Sequence, residues 1–298
     1  MTITRVGIVG TGTMGIGVAH TVAQFGFPAV LVKATPGTVD KARAVLNKNL
    51  DRAASKGAIK PEDLDAVRGR IELTDTVDAL ADCDLVIESV IEDIAIKQDL
   101  FRKLCEIVAP NAILATNTST LSVTALMSVC HPRDRIAGLH FFNPVPLMNL
   151  VEVIHAFETA DTVVTALAEF CRKIGKEPVV VQDTTGFIVN RLLTPYILNA
   201  IRLLEQGTGT IGDIDKAMRL GASHPMGPFA LADYIGLDVV NAMAQNIYDD
   251  VRQQYTSTPH TLTRLVLLGY LGRKTGKGFY DYSQQPAIPN PALKRPVA

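Results

Sequence analysis

The first 182 residues alternate between short runs of aliphatic and β-branched residues and longer stretches with helical periodicity. The short runs predict seven strands, at residues 6–10, 30–33, 85–89, 113–117, 136–140, 150–154 and 178–182. Amphipathic stretches lie between them, for example at residues 14–25, 39–55 and 94–108. Strands that alternate with helices at this spacing are typical of βαβ units. We therefore predict an α/β fold with a parallel, doubly wound sheet.

A helical hairpin interrupts this alternation after the second predicted strand. Residues 39–70 contain two helical patterns, which are broken at Gly57 and Pro61. Glycine and proline favour turns over helix interiors, so we expect two helices inserted into the crossover. One side of the hairpin is rich in lysine and arginine, and charge pattern alone predicts an ordinary solvated surface there.

The strand pattern ends at Gln182, and only helical patterns follow. These predict helices at residues 186–206, 211–220 and 228–250, separated by Gly, Pro and Asp. We therefore expect two domains, with the sheet in residues 1–183 and an all-helical domain in residues 184–298. The Pro-rich tail from Gln284 onward is expected to pack loosely.

Composition excludes several classes of protein. The 298 residues include 29 Lys and Arg against 30 Asp and Glu, a formal net charge of −1. Broad binding of nucleic acid or of an anionic membrane needs a basic excess, so neither partner is expected. The 47% of hydrophobic residues excludes disorder as the main theme. No apolar stretch approaches the roughly 18 residues of a membrane span, and no secretory signal is predicted.

The cysteines and histidines predict neither disulfides nor a metal site. The four cysteines are widely spaced, at positions 83, 105, 130 and 171, and the six histidines are dispersed. No cluster of these residues has the spacing of metal ligands. We expect buried thiols in a reducing compartment, and hence a cytoplasmic protein.

The strongest local signal for chemistry is a glycine-rich turn that follows the first strand and opens a helix. Its sequence is Gly10-Thr-Gly12-Thr13-Met14-Gly15. Gly10 permits the tight turn, Gly12 lets the backbone approach a pyrophosphate, and Gly15 allows close packing of helix on strand. The helix N-terminus offers N–H groups to phosphates. In this context the turn predicts a dinucleotide site on a Rossmann-type fold, and the alternative is a merely structural turn.

The second predicted strand ends in Lys33, at a position where dinucleotide sites usually have an acid. A lysine cannot accept hydrogen bonds from the adenosine ribose. It would instead attract a ribose 2′-phosphate, with Thr35 as a second donor, so the residue itself favours NADP(H). The alternative is that Lys33 extends into solvent and NAD(H) binds through other contacts. The cofactor is therefore NAD or NADP, with the preference undecided.

A second candidate site lies around His140, which ends a predicted strand. The carboxyl edge of an open α/β sheet is where such folds bind ligands. Glu152 lies in the next extended run, between apolar neighbours, and a half-buried carboxylate needs a partner. If the loop between them folds back, Glu152 can fix the imidazole tautomer and stabilise imidazolium, which makes His140 a competent acid/base. The alternative is a structural histidine and a surface glutamate.

The segment from His140 through Phe-Phe-Asn143-Pro-Val-Pro-Leu-Met, together with Glu152, closely resembles the active-site segment of L-3-hydroxyacyl-CoA dehydrogenases. Further segments match this family in order along nearly the whole chain. They are Asn117-Thr-Ser-Thr, Gly186-Phe-Ile-Val-Asn-Arg, His224-Pro-Met-Gly-Pro and Lys274-Thr-Gly-Lys-Gly-Phe-Tyr. The resemblance implies interconversion of short-chain L-3-hydroxyacyl-CoA, such as 3-hydroxybutyryl-CoA, and 3-oxoacyl-CoA by hydride transfer with NAD(P).

The resemblance also implies roles for the catalytic residues. His140 would be the general acid/base on the substrate 3-hydroxyl, oriented by Glu152. Ser119 and Asn190 would hydrogen-bond the reacting oxygen and the thioester region. Asn143 would position the catalytic loop. The C-terminal domain would bind substrate and form a homodimer.

For the cofactor and the carrier, the resemblance points to four further residues. Glu92 and Lys97 match positions that line the nicotinamide ribose pocket, and Asn117 is assigned to the cofactor site with them. Lys56 matches a lysine that meets the nucleotide end of CoA. Asn49 departs from the family, because animal members have a serine there that touches CoA. Two alternative functions therefore stay open, namely a dehydrogenase of carrier-protein-tethered hydroxyacyl groups and a non-catalytic, crystallin-like nucleotide binder.

Overall fold

The computed structural model describes residues 1–35 and 37–293. They form two compact units, Met1–Phe187 and a second that begins at Ile188. Within the described residues, no helix combines the length and the apolar character needed to cross a membrane.

The first unit contains an eight-stranded sheet. Its strands are β1 Val6–Val9, β2 Ala29–Val32, β3 Ile71–Thr74, β4 Leu85–Glu88, β5 Ile113–Thr116, β6 Ile136–Phe141, β7 Leu150–His155 and β8 Glu177–Gln182. Their spatial order is β3-β2-β1-β4-β5-β6-β7-β8. The chain leaves β1 towards one edge and continues from β4 towards the other. The carboxyl ends of β1 and β4 therefore form the switch point where such sheets bind ligands.

Among its described residues, this unit has six α-helices: α1 Thr13–Gln24, α2 Asp40–Ser55, α3 Leu64–Gly69, α4 Ile94–Ile107, α5 Val123–Met127 and α6 Asp161–Lys173. Alternate residues of the central strands face two separate cores. Ile8 and Leu31 pack in one, whereas Val9 and Val30 pack in the other. Both faces of the sheet are thus covered, which explains why its strands are apolar without interruption.

The inserted helical hairpin has the predicted form. Helix α2 ends before Gly57, which has a φ of +74°, and Pro61 opens a short 3₁₀ turn that leads into α3. Leu46, Leu50 and Val67 pack with α1 in the first core. Amphipathic burial, rather than intrinsic helix propensity, holds these short helices in place.

Two features of the sheet differ from the prediction. Strand β3 was missed, because it alternates buried Ile71 and Leu73 with exposed Glu72 and so lacks the continuous apolar run of the other strands of its length. The sheet is also not wholly parallel, since β7 runs antiparallel to β6. Only residues 142–149 join these two strands, which is too short for a parallel crossover of a dozen or more residues. Helix α6 was not among the predicted elements either.

Up to residue 293, the second unit has five α-helices: α7 Val189–Gln206, α8 Ile211–Gly221, α9 Pro228–Ile235, α10 Leu237–Val251 and α11 His260–Leu267. Their apolar faces meet in a third core. The single helix predicted at residues 228–250 is divided at Gly236, whose φ of +106° ends α9 and begins α10. Its ψ of +124° is not helical, and glycine adopts this conformation readily because it has no Cβ.

The prediction of an all-helical second domain is incorrect in one place. A short antiparallel hairpin is formed by β9 Tyr280–Asp281 and β10 Ile288–Pro289. Part of the predicted loose tail is packed, because Asn290 is buried and its Nδ2 donates to the Gly278 carbonyl at 2.7 Å. Residues 294–298 of that predicted tail lie outside the described residues.

Candidate functional site

The glycine turn after β1 leaves exposed backbone at the start of α1. Gly10 has a φ of +119°, and a Cβ there would overlap the Ser89 carbonyl oxygen. A Cβ at Gly15 would overlap the Gly10 carbonyl oxygen, which explains the close packing of α1 on β1. Nothing lies within 4 Å of the Cβ position of Gly12. Thr13 and Met14 form the first turn of α1, so their N–H groups face this open space with the positive end of the helix dipole.

These features fit a dinucleotide pyrophosphate. The space beside Gly12 is open where a phosphate would approach, and the neighbouring backbone leaves no room for a Cβ at Gly10 or Gly15. The turn also lies at the switch point of the sheet, between β1 and β4. Backbone N–H groups at such a helix start are a common phosphate site.

Lys33 lies directly after β2, on the same edge of the sheet. Its backbone N–H donates to the Thr74 carbonyl at 2.8 Å. Its Nζ donates to the carbonyl of Thr35 at 2.6 Å and to the Thr35 hydroxyl oxygen at 3.1 Å. The structure therefore brings together the lysine and the threonine that the sequence suggested as a pair of donors for a 2′-phosphate.

A buried ion pair organises the ends of β4 and β5. Glu88, the last residue of β4, is fully buried, and Lys97 of α4 is 1% exposed. The Lys97 Nζ lies 2.7 Å from Glu88 Oε1 and 3.3 Å from Glu92 Oε2. Glu88 also accepts hydrogen bonds from the Thr116 hydroxyl at 2.6 Å and the Val90 N–H at 2.6 Å. Lys97 is thus occupied by two carboxylates rather than open to solvent.

Glu92 connects this ion pair to the loop that carries Ser119. Its Oε1 accepts from the Thr118 hydroxyl at 2.5 Å and from the N–H groups of Ser119 at 2.9 Å and Thr120 at 3.2 Å. Burial acts to raise the pKa of Glu92, but Lys97 and these hydrogen bonds outweigh it and hold the pKa below its ordinary value. Glu92 is therefore an anion that fixes the Ser119 loop.

Asn117 joins the carboxyl ends of three strands. Its Nδ2 donates to the Ser89 hydroxyl oxygen at 3.0 Å, and its Oδ1 accepts from the Phe141 N–H at 2.8 Å. Ser89 follows β4, Asn117 follows β5 and Phe141 ends β6. Ser119, two residues further on, is half-buried, and its hydroxyl has no hydrogen-bond partner in the described part of the chain.

The structure brings His140 and Glu152 into direct contact. They face each other across the antiparallel β6–β7 pair, and His140 Nδ1 lies 2.7 Å from Glu152 Oε2. His140 is 4% exposed and Glu152 is 1% exposed. The rings of Phe142 and Phe187 flank the imidazole at centroid distances of 4.5 and 5.5 Å. A carboxylate at Nδ1 in an apolar setting fixes the tautomer, so Nε2 is the atom left for proton transfer.

The remaining candidate residues are more exposed. Asn143 lies in the 142–149 loop that joins β6 to β7, and its side chain is exposed. Lys56 is an exposed residue at the C-terminal end of α2. Asn190 lies in the first turn of α7, in the second unit, and is half-buried. Among the described residues, no group of three His, Cys, Asp or Glu side chains is arranged to hold a metal ion.

Sequence reasoning missed three residues of this network. Glu88 and Thr116 hold Lys97 and the end of β5, and the signal for Glu88 was a single charge closing an apolar strand. Lys176 is buried, and its Nζ donates to the Val145 and Met148 carbonyls in the 142–149 loop. Nothing in the local sequence distinguishes Lys176 from its exposed neighbour Lys173.

Comparison with known proteins agrees with the geometry. Residues 5–184 match the family model "3-hydroxyacyl-CoA dehydrogenase, NAD binding domain", and residues 186–282 match "3-hydroxyacyl-CoA dehydrogenase, C-terminal domain". A 3-hydroxybutyryl-CoA dehydrogenase from Bradyrhizobium diazoefficiens is 42% identical over 96% of this chain and 98% of its own length. One from Clostridioides difficile is 42% identical over 94% of this chain and 100% of its own.

The similarity extends to solved structures. The crystal structure of (S)-3-hydroxybutyryl-CoA dehydrogenase from Ralstonia eutropha superposes with a TM-score of 0.91 at 40% identity. The match covers 95% of this chain and 100% of that one. The dinucleotide turn, the buried histidine–glutamate pair and these matches lead to one conclusion: the chain is an oxidoreductase that belongs to the 3-hydroxyacyl-CoA dehydrogenase family.

Proposed function

We propose that this protein interconverts short-chain L-3-hydroxyacyl-CoA and 3-oxoacyl-CoA, with 3-hydroxybutyryl-CoA as a representative substrate. The observation that carries the proposal is the buried contact between His140 and Glu152, 2.7 Å apart at the carboxyl edge of the sheet. The relatives named 3-hydroxybutyryl-CoA dehydrogenase, which match over nearly the whole chain, support the choice of substrate.

The reaction removes a proton and a hydride from one secondary alcohol. His140 takes the hydroxyl proton through Nε2 during oxidation, and the imidazolium returns it to the developing alkoxide during reduction. Glu152 holds Nδ1–H and stabilises the imidazolium as it forms. Because both side chains are buried, this ion pair is little screened by water.

Ser119 and Asn190 are proposed to hydrogen-bond the reacting oxygen and the thioester region. The Ser119 backbone is held by Glu92, which leaves its hydroxyl for a ligand. Donors aimed at an oxygen that gains charge in the transition state supply an oxyanion-type stabilisation. Asn143, in the exposed 142–149 loop, is proposed to position that loop against the substrate.

The dinucleotide is proposed to lie along the carboxyl edge. The N–H groups beside Gly12, Thr13 and Met14 would hold its pyrophosphate, and Asn117 and Glu92 would face its nicotinamide half. When bound, NAD(P) supplies the hydride acceptor or donor. Lys97 does not fit a direct contact with the ribose, because its Nζ is engaged by Glu88 and Glu92. We assign it the positioning of Glu92.

Lys33 and Thr35 are proposed to let the enzyme accept NADPH as well as NADH. Their ammonium and hydroxyl groups are 3.1 Å apart at the end of β2. Two donors at this point suit a 2′-phosphate, for which charge-assisted hydrogen bonds are strong. The family model names an NAD binding domain, which supports use of NAD(H) by the same site.

The acyl carrier is proposed to be CoA, with Lys56 near its nucleotide end. The direct test is reduction of acetoacetyl-CoA by purified protein, with NADH and NADPH compared in parallel. We expect turnover with both reduced cofactors. Absence of turnover despite dinucleotide binding would contradict the proposal and favour a carrier-protein thioester or a non-catalytic role.

The second unit is proposed to bind substrate and to form a homodimer. It exposes several large leucines, namely Leu192, Leu220, Leu267 and Leu268, each at least 65% exposed. Exposed apolar side chains of this kind are typical of an association surface. Light scattering is expected to give twice the chain mass of 32.1 kDa, and a monomeric mass would contradict the assignment.

All four cysteines, which lie in the described part of the chain, are free thiols, which supports a reducing compartment such as the cytoplasm.

A further inference from the structure

Lys176 is a buried cation that directly precedes β8. It is 4% exposed, and its Nζ donates to the Val145 carbonyl at 2.7 Å and to the Met148 carbonyl at 2.8 Å. Within the described residues it forms no ion pair with a carboxylate. Burial lowers the pKa of Lys176, opposed in part by Cys171. Two of the three ammonium donors are therefore directed at the backbone of one loop.

The end of this loop is held by the Glu177 N–H, which donates to the Asn149 carbonyl at 2.8 Å, whereas the middle of the loop is more exposed. Val145 is buried, but Leu147 is 73% exposed and Met148 is also exposed. The N–H groups of Leu147 and Met148 donate to the Pro144 carbonyl inside the loop itself. Burying an ammonium is costly unless its donors are satisfied. Burial of Lys176 is therefore better explained by its hydrogen bonds to the loop than by a contribution of the buried ammonium to folding stability.

The dinucleotide helix α1 contacts the same loop from another side. A Cβ at Gly17 would lie 3.0 Å from the Val145 Cβ and 3.7 Å from the Pro146 Cδ. The absence of a side chain at Gly17 thus allows α1 and the loop to pack in direct contact. Val145 is held both by this helix surface and, through its carbonyl, by Lys176.

We propose that Lys176 is a positioning residue that fixes the 142–149 loop against α1 and so sets the position of Asn143. The inference rests on the proposed function, in which Asn143 belongs to a loop that is positioned against the substrate. Because Lys176 is buried and its Nζ donates to loop carbonyls, we assign it no contact with substrate or cofactor. It acts through the backbone of the loop, whose two ends lead directly to His140 and Glu152.

The test replaces the ammonium with an apolar group of similar length, in Lys176→Met, and compares it with Lys173→Met. Lys173 is exposed and only three residues away, so its replacement controls for the chemical change. Hydrogen exchange of the Leu147 and Met148 amides is the first readout. We expect exchange about tenfold faster in Lys176→Met, because a loop that loses its anchor opens more often, and unchanged exchange in Lys173→Met.

Kinetics with acetoacetyl-CoA is the second readout. We expect kcat/KM to fall by roughly tenfold to a hundredfold, since small misplacement of a positioning group has effects of this size. The Kd of NADH is expected to stay within about twofold, because the glycine turn is untouched. A general loss of folding would instead impair NADH binding and thioester turnover together.

Gly17→Ala is an independent way to move the loop, because its new Cβ would press on Val145. We expect it to raise exchange of the same amides, and the double variant to show less than the sum of the two single effects on the free energy of turnover. It also serves as the test if Lys176→Met does not fold.

The outcomes separate this inference from the proposed function. Unchanged amide exchange in a folded Lys176→Met variant overturns it, as does faster exchange with unaltered kcat and KM. If the wild-type protein turns over no acyl-CoA thioester, the proposed function fails. Faster exchange in Lys176→Met would then still establish the anchor and leave only its link to Asn143 refuted.

Discussion

Two charged side chains that are buried at the carboxyl edge of the sheet each lie beside a matched partner. Glu152 faces His140, and Lys97 lies between two carboxylates. Removing one member of such a pair leaves the other charged group without compensation in a place that water does not reach. Substitutions that remove the charge of these buried residues are therefore expected to have larger effects on stability and activity than the same substitutions at exposed residues.

Glu152→Gln tests the role of the carboxylate in the pair. The variant keeps the size of the side chain but removes the charge that stabilises an imidazolium at position 140. We expect kcat to fall by about tenfold or more, with little change in the Kd of NADH. Glu158→Gln, at an exposed residue paired with Arg133, is the matched control. A kcat within twofold of wild type for Glu152→Gln would mean that the carboxylate is only structural.

Lys33→Glu tests whether Lys33 binds the ribose 2′-phosphate of NADPH. The substitution replaces a cation with an anion that repels phosphate and can accept hydrogen bonds from a ribose. We expect kcat/KM for NADPH to fall by at least about tenfold relative to that for NADH, because a charge-assisted hydrogen bond contributes roughly 1.5–3 kcal/mol. Lys103→Glu, at an exposed position of α4, makes the same charge change elsewhere. An unaltered ratio of the two cofactors would show that Lys33 does not contact the phosphate.

The sequence allowed part of this site to be predicted at residue level. His140 and Glu152 could be paired because a carboxylate among apolar neighbours needs a partner, and a strand-ending histidine was the candidate. The burial of Lys97 and Lys176 could not be predicted, since both have exposed lysines as neighbours and nothing local marks them. Their partners lie in other elements, so only the tertiary arrangement shows which lysines are buried.

At the scale of elements, the β6–β7 hairpin brings His140 and Glu152 together. The pattern of apolar runs located both strands, but it does not encode their direction, and the predicted parallel sheet was wrong here. Because β7 runs antiparallel to β6, Glu152 lies directly opposite His140. The short β3 was missed because only two of its four residues are buried. The fully buried strands in βαβ order were predicted well, because burial on both faces gives an uninterrupted apolar run.

Helix α4 is joined to β4 by a buried ion pair, and Lys97→Met tests its contribution to stability. The variant leaves the fully buried Glu88 without its cation. We expect the free energy of unfolding to fall by about 3–5 kcal/mol, as is typical when one partner of a buried pair is removed. Chemical denaturation of Lys97→Met and of Lys103→Met, which changes an exposed lysine of the same helix, measures the difference. A loss below about 1 kcal/mol for Lys97→Met would contradict the account.

At the scale of the whole molecule, each unit has its own core and its own buried polar network. In the second unit, Asp233 accepts hydrogen bonds from the N–H groups of Phe279 and Tyr280 and from the Tyr282 hydroxyl. These bonds tie the C-terminal hairpin to α9. Burial raises the pKa of Asp233 from 3.8 to about 6, and nearby Asp215 adds to this against the opposing hydrogen bonds.

A raised pKa means that the folded state binds this proton more tightly than the unfolded state. The free energy of unfolding should therefore decrease as pH rises through the interval from about 4 to about 6. A shift of this size corresponds to at most about 3 kcal/mol. Comparing unfolding at pH 4.5 and pH 7 for wild type and Asp233→Asn tests it, with Asp238→Asn at an exposed carboxylate as control. If Asp233→Asn keeps the full pH dependence, Asp233 is not its source.

The central claim is that His140 is the general acid/base of a 3-hydroxyacyl-CoA dehydrogenase. The most direct measurement is the turnover of acetoacetyl-CoA by His140→Ala, with NADH binding measured on the same preparation. The account predicts a loss of roughly 10²- to 10⁴-fold in kcat, the usual contribution of a general acid/base, while NADH binds with its wild-type Kd. Near-normal turnover by the purified variant would contradict it.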